Sequence, residues 1–189
     1  MWEELIQYDK ELFLLLNNLG NSNWDAFWMF VTNKFTAIPL YLVLLFFTYQ
    51  KFGLKKTVLV LISVALMILA TDQLANFFKY GVRRLRPCYD ADLEGLFRLV
   101  KNSCGGKFGY FSAHAANSFA IAFFFTLLLR PKIRYIGSFL IAWAFLVAYS
   151  RVYIGVHFPL DILTGGLVGL VFSWLFSKLT LFASNKFAL

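Results

Sequence analysis

Charge is scarce in this chain. Asp, Glu, Lys and Arg make up only 15% of its 189 residues, against about a quarter in soluble chains, which excludes an ordinary water-exposed domain. Cysteine is scarcer still: Cys88 and Cys104 stand alone. Two thiols do not complete a tetrahedral zinc site, and no histidine lies near them to help. Short alternating strands with frequent turns are missing, which excludes a sheet protein. Met1-Trp2-Glu3-Glu4 lacks a basic n-region, so no cleavable leader is read there and insertion is expected to rest on the spans themselves. Histidine occurs twice, at His114 and His157. So apolar a chain has little use for imidazole as packing material, so the places of these two carry most of the information.

What fills the chain instead is apolar: 60% hydrophobic residues, 20% aromatic, 23 of them Phe, with a mean hydropathy of +0.67. The expected fold is all-α, an integral membrane helical bundle formed as one unit over residues 1–189. Crossing a hydrocarbon core takes about 20 residues, and five segments qualify: Ala26–Tyr49, Thr57–Phe78, Ser112–Leu129, Tyr135–Arg151 and Pro159–Leu179. Ahead of them, within residues 1–20, Trp2, Leu5, Ile6, Leu12, Phe13, Leu16 and Leu19 recur at helical spacing opposite Glu3, Glu4, Gln7, Lys10 and Glu11. That pattern predicts an amphipathic helix lying in the membrane interface.

The formal net charge is +8. A nucleic-acid partner would need a basic face on a soluble surface, which is absent; basic loops beside a bilayer account for the charge. Span parity puts the short loops Gln50–Lys56 and Arg130–Arg134 on one membrane side, and the long loop 79–111 with the link Val152–Phe158 on the other. The short loops are basic and read as cytoplasmic, but loop 79–111 is basic too, and counting alone does not orient the chain. Cys88 and Cys104 both lie in that loop, 16 positions apart. They would be free thiols in a reducing compartment and a candidate disulfide in an oxidising one.

Parity also gathers four helix ends on the side of the long loop. C-terminal ends at Lys79 and Arg151 suit cations, and N-terminal ends at Ser112 and Pro159 present free N–H groups to anions. Ser112 reads as an N-cap with His114 in the first turn; Pro159 suits a first helical position, bringing Asp161 into that turn. Lys79, Arg86, Arg151, His114 and His157 with the Ser112 hydroxyl therefore make a set that matches a phosphate. Asp161, four residues after His157, is placed to accept from one imidazole nitrogen and leave the other free to attack. His114 is then the acid for the leaving oxygen. The chemistry expected is phosphoryl transfer through a phosphohistidine, with fixed cations in place of any metal or cofactor.

Lys79-x6-Arg86-Pro87, Ser112-x-His114 and Ser150-Arg151-x5-His157-x3-Asp161 resemble the three signature motifs of the type-2 phosphatidic-acid phosphatase superfamily. The resemblance covers Lys79 to Asp161. It implies a metal-free lipid phosphatase with His157 as nucleophile, Asp161 as its partner, His114 as general acid, and Lys79, Arg86, Ser112 and Arg151 binding phosphate. It also implies a site on the extracytoplasmic face of a bacterial inner membrane. One departure stands out: Phe111-Ser112-Ala113-His114 replaces the usual Pro-Ser-Gly-His, adding a methyl where the backbone would approach phosphate.

Undecaprenyl diphosphate is the first expected substrate. Lipid A, phosphatidylglycerol phosphate and phosphatidic acid follow as alternatives, as does transfer of the phosphate to an acceptor lipid. A bis-histidine haem protein, with His114 and His157 as axial ligands, is the non-enzymatic alternative; it leaves Lys79, Arg86 and Arg151 without a purpose. Three further features take plainer readings. Arg83 and Arg84 are expected to be solvated or to bind headgroups. Asp72, about 10 Å below Lys79 on the same helix face, reads as a buried hydrogen-bond anchor. Gly165-Gly166 with Gly169 reads as a close helix contact.

Overall fold

The computed structural model describes residues 2–188. Among these residues six α-helices follow in order: α1 (Trp2–Asn18), α2 (Ser22–Thr32), α3 (Ile38–Val82), α4 (Ala113–Leu129), α5 (Ile136–Tyr153) and α6 (Pro159–Lys186). Helix α3 has 45 residues, about 67 Å if straight, but Gly53 breaks it with φ +78° and ψ 177°. Only glycine takes that conformation without strain. The chain folds back there: Tyr41 and Ile68, about 40 Å apart on a straight helix, line one cavity. Residues 38–52 and 54–82 are thus two membrane passes, and with α4, α5 and α6 the bundle makes five.

The first span expected over Ala26–Tyr49 differs, because residues 33–37 interrupt it. The cause is local chemistry. Asn33 Oδ1 accepts from Phe35 N–H at 3.0 Å, and Thr36 Oγ1 donates to the carbonyls of Phe30 and Asn33, both at 2.7 Å. These side chains offer the backbone an alternative to the helix, and Pro39 then restarts it where a missing N–H costs nothing. Helix α2 lies instead against the end of α5, with Trp28 packed on Tyr149 and Tyr153 at 5.0 and 5.2 Å between ring centroids.

Helix α4 sits at the centre, with Ala116, Ala120, Phe124 and Leu129 fully buried. Its partner is α6, and the small-residue stripe explains how close they come. A Cβ on Gly165 would stand 2.5 Å from the Ser112 carbonyl oxygen, and one on Gly169 only 2.3 Å from that of Ala116. The outer faces are apolar and exposed, through Leu61, Leu66, Phe139, Leu163, Leu167 and Trp174, as lipid contact requires. Buried hydroxyls in the passes, such as Thr48, Ser63 and Thr180, donate to the carbonyl four residues back, which removes the cost of an unpaired polar group in an apolar interior.

Helix α1 is amphipathic, but the stripe it turns to the protein is not the apolar one expected. Trp2, Leu12 and Leu19 are exposed, whereas Asp9, Phe13 and Asn17, spaced four apart, are buried. The two polar members find partners inside. Asn17 Nδ2 donates to the carbonyls of Val152 and Tyr153, and its Oδ1 accepts from Arg98 N–H at 2.7 Å.

Candidate active site

Each functional side chain is placed by a feature legible in its neighbourhood. Lys79 lies in the last turn of α3, which stops at Arg83 in a left-handed conformation. After it the backbone runs extended: Leu85 bridges Phe108, Arg86 N–H donates to Lys107 O at 3.1 Å and Gly109 N–H to Arg84 O at 2.9 Å. Cys88 and Cys104 are joined as a disulfide, with Cα atoms 6.3 Å apart. The Cys104 carbonyl accepts from Arg86 Nη1 at 2.9 Å, and that of Phe108 from Arg86 Nε at 3.2 Å. The guanidinium is thereby fixed on one edge, with Nη2 left over.

Ser112 caps α4, its Oγ accepting from Ala115 N–H at 3.4 Å, and its own N–H donates to the Asp161 carbonyl at 3.0 Å. That bond ties the first turn of α4, carrying His114, to the first turn of α6. Arg151, near the end of α5, is buried; Nη1 donates to Thr32 Oγ1 at 2.5 Å, and Nε has no partner. A buried guanidinium N–H without an acceptor is costly, and the cavity it borders is where an anion would supply one. Gly155 turns the chain from α5 to α6 at φ +81°, and a Cβ there would meet Arg98 O at 2.6 Å.

His157 follows, 2% exposed. Its Nδ1 stands 3.3 Å from Asp161 Oδ2, which also accepts from Phe158 N–H at 3.1 Å. With Nδ1–H on the carboxylate, Nε2 carries the free lone pair. Burial, and then the positive charges of Arg151, Arg86, Lys79 and Arg84, holds the imidazole well below its ordinary pKa, which favours the neutral ring.

A cavity of about 450 Å³ collects these groups. Lys79, Arg86, Arg151, His114 and His157 all line it, so five of the seven residues expected in the site meet there. Asp161 stands behind His157. Ser112, expected to hold phosphate, is fully buried as a cap and does not line the cavity, whereas Ala113 does. Asp72 also lines it and accepts from Asn117 Nδ2 at 2.9 Å, while Asn117 Oδ1 accepts from Thr71. Asp72 is thus hydrogen-bonded as an anchor and also faces the site. Asn33 and Lys34, from the break before α3, are exposed where they border the cavity.

Arg84 overturns its expected reading. It is not solvated: Nη1 donates to Asp161 Oδ1 at 2.9 Å, Nη2 pairs with Asp9, and the guanidinium lies 4.5 Å from the Phe158 ring centroid. The signal was available in principle, since residues two apart on extended backbone share a face and Arg86 was already placed. Arg83 does stay exposed, donating to Tyr80 O. Gly109 was missed as well. A Cβ there would lie 2.9 Å from Arg86 Cγ, 3.3 Å from Asp161 Oδ2 and 3.6 Å from His157 Nδ1, so the backbone passes directly beneath the pair.

A membrane bundle holding a buried His–Asp pair against a cavity lined by two arginines and a lysine belongs to the class of lipid phosphatases. The chain is a member of the PAP2 superfamily, whose family model matches residues 56–184. A lipid A 4'-phosphatase of Bacteroides thetaiotaomicron is 35% identical over 178 residues, 93% of this chain and 78% of the relative. An undecaprenyl-diphosphatase of Sulfolobus acidocaldarius is 30% identical, over 92% and 77%. The crystal structure of Aquifex aeolicus LpxE superposes with a TM-score of 0.65 at 29% identity, covering 89% of this chain and 93% of that one.

Proposed function

We propose that the protein is a lipid A phosphatase working through a phosphohistidine on His157, at the outer face of a bacterial inner membrane. The observation that carries the chemistry is the His157–Asp161 pair, buried with Nδ1 engaged beside a cavity lined by Lys79, Arg86 and Arg151. His157 Nε2 attacks phosphorus and the bond to the lipid oxygen breaks. His114 protonates that oxygen; a bound phosphate dianion favours the charged imidazolium it needs for this. His114 then takes a proton from water, the resulting hydroxide attacks the phosphohistidine, and inorganic phosphate leaves with His157 restored. Lys79, Arg86 and the unpaired Arg151 Nε–H spread the charge of the transferring group.

Lipid A is preferred over undecaprenyl diphosphate because the relative named for it is more similar, at 35% against 30% identity. The outward orientation draws support from the disulfide in loop 79–111, a bond that persists in oxidising compartments. Purified protein assayed for phosphate release against lipid A, undecaprenyl diphosphate, phosphatidylglycerol phosphate and phosphatidic acid tests the reading. Lipid A is expected to give the highest kcat/KM, and His157→Ala to abolish release. Faster turnover of undecaprenyl diphosphate overturns the substrate, and full activity in His157→Ala overturns the nucleophile. Adding an acceptor lipid separates hydrolysis from transfer, and a Soret band in the purified protein would favour the haem alternative.

A further inference from the structure

Helix α1 grips both ends of the segment that carries His157. At one end, Asn17 holds the Val152 and Tyr153 carbonyls at 3.0 and 2.9 Å. In the middle of the stripe, Phe13 packs edge-on against Phe158, 5.3 Å between ring centroids. At the other end, Asp9 Oδ1 accepts from Leu160 N–H at 2.9 Å, one of the free donors that open α6. Its second oxygen pairs with Arg84, and Arg84 in turn donates to Asp161 Oδ1. A continuous chain therefore runs Asp9–Arg84–Asp161–His157. Asp9 is 4% exposed, and the reaction described above makes no use of it.

We infer that Asp9 is a positioning residue for the nucleophilic histidine. Through Arg84 it fixes the rotamer and charge of the Asp161 carboxylate, and through Leu160 N–H it fixes the first turn of the helix bearing that carboxylate. Without Asp9, Arg84 loses the partner that holds it over Phe158. Asp161 is then held toward His157 Nδ1 chiefly by Phe158 N–H, and Nε2 loses part of its aim at phosphorus. The effect falls on the chemical step, not on phosphate capture, because Asp9 does not border the cavity. This inference rests on the assignment of His157 as nucleophile.

The test is steady-state kinetics on the full chain in detergent, using whichever lipid phosphate in the panel the wild type hydrolyses. Asp9→Asn keeps the shape and the acceptor for Leu160 N–H but removes the charge facing Arg84. It is expected to lower kcat about 10- to 100-fold, the usual scale for removing the partner that orients a functional side chain, with KM within about twofold. Lys10→Gln is the control, since Lys10 docks the same helix through Asp90 and Asp92 at 2.8 and 2.7 Å without touching this chain of contacts; its kcat should match the wild type. In an Arg84→Lys background, Asp9→Asn should lose most of its effect, because the two act as a unit. If Asp9→Asn does not fold, Asp9→Glu, with its charge displaced, must show the same fall in kcat. Wild-type kcat in a folded Asp9 variant overturns the inference alone, as does a Lys10→Gln variant impaired as deeply as Asp9→Asn. A wild type inert toward every lipid phosphate overturns the phosphatase reading and this inference with it.

Discussion

Gly109 offers a sharp test of the site geometry, because its place there follows from space alone. Its φ is not left-handed, so alanine brings no backbone strain; the added methyl is the whole perturbation. That methyl would sit 2.9 Å from Arg86 Cγ, where carbon atoms rest at about 3.5–4.0 Å, so something must yield by roughly 0.6 Å or more. Neither side gives easily. The Gly109 N–H is bonded to Arg84 O, and the Arg86 head is held by the Cys104 and Phe108 carbonyls. The displacement therefore passes into the guanidinium or into the Asp161–His157 pair, 3.3 and 3.6 Å from the same methyl. Misplacing a reacting group by about 1 Å costs on the order of 100-fold in rate, roughly 2.7 kcal/mol of barrier. Gly109→Ala should accordingly lower kcat/KM for phosphate release by about that factor while still giving a cooperative melt. Gly106→Ala, whose Cβ would meet nothing within 4 Å, should behave as wild type. A Gly109→Ala enzyme within threefold of wild type refutes the close passage beneath the pair.

Other expectations follow from the same geometry. Gly169→Leu must drive α4 from α6, since even its Cβ would lie 2.3 Å from Ala116 O; a melting temperature lowered by several degrees, with the overpacking cost of about 1–3 kcal/mol or more, is the reading. His157 is needed neutral, and a depressed pKa keeps it so as pH falls through 6.5. The limb of kcat/KM due to this group must then lie below pH 6.5, and a His157 titration observed above that value by NMR contradicts the burial described. Cys88→Ser with Cys104→Ser removes the cross-link that steadies the Cys104 carbonyl under Arg86. KM should rise several-fold with kcat little changed, and unfolding should ease by up to about 3 kcal/mol for a loop of this length; an unaltered KM would separate the disulfide from phosphate binding.

The sequence carried most of the bundle and the inner ring of the site, for a physical reason. Hydropathy marks passes, parity sorts helix ends, and helix-end chemistry assigns cations and caps, so Lys79, Arg86, His114, Arg151 and His157 could be brought together before any coordinates. What escaped depended on contacts between distant parts of the chain. Asp9 and Leu160 are 151 positions apart, and nothing local says that an acidic residue on an amphipathic helix will face inward. The stripe Asp9, Phe13, Asn17 is invisible to an apolar pattern because two of its three members are polar. Arg84 escaped because its neighbour Arg83 does lie exposed, and only the extended backbone separates their fates. The break at residues 33–37 was foreshadowed by Asn33 and Pro39, but a hydropathy window averages over its three polar positions, Asn33, Lys34 and Thr36.

The contact between α4 and α6 gives the site one tightly packed side. Glycine on one helix meets backbone carbonyl oxygens on the other, and the Ser112–Asp161 backbone bond closes the same seam at its upper end. His114 and the His157–Asp161 pair are therefore mounted on a single stiff plate, with little side chain at the seam to rearrange. The opposite wall is built differently: α2 and the start of α3 meet there through residues 33–37, of which Asn33, Lys34 and Phe35 are exposed. His114 and His157 therefore sit on the tightly packed side of the cavity, across from Thr32 and Lys34.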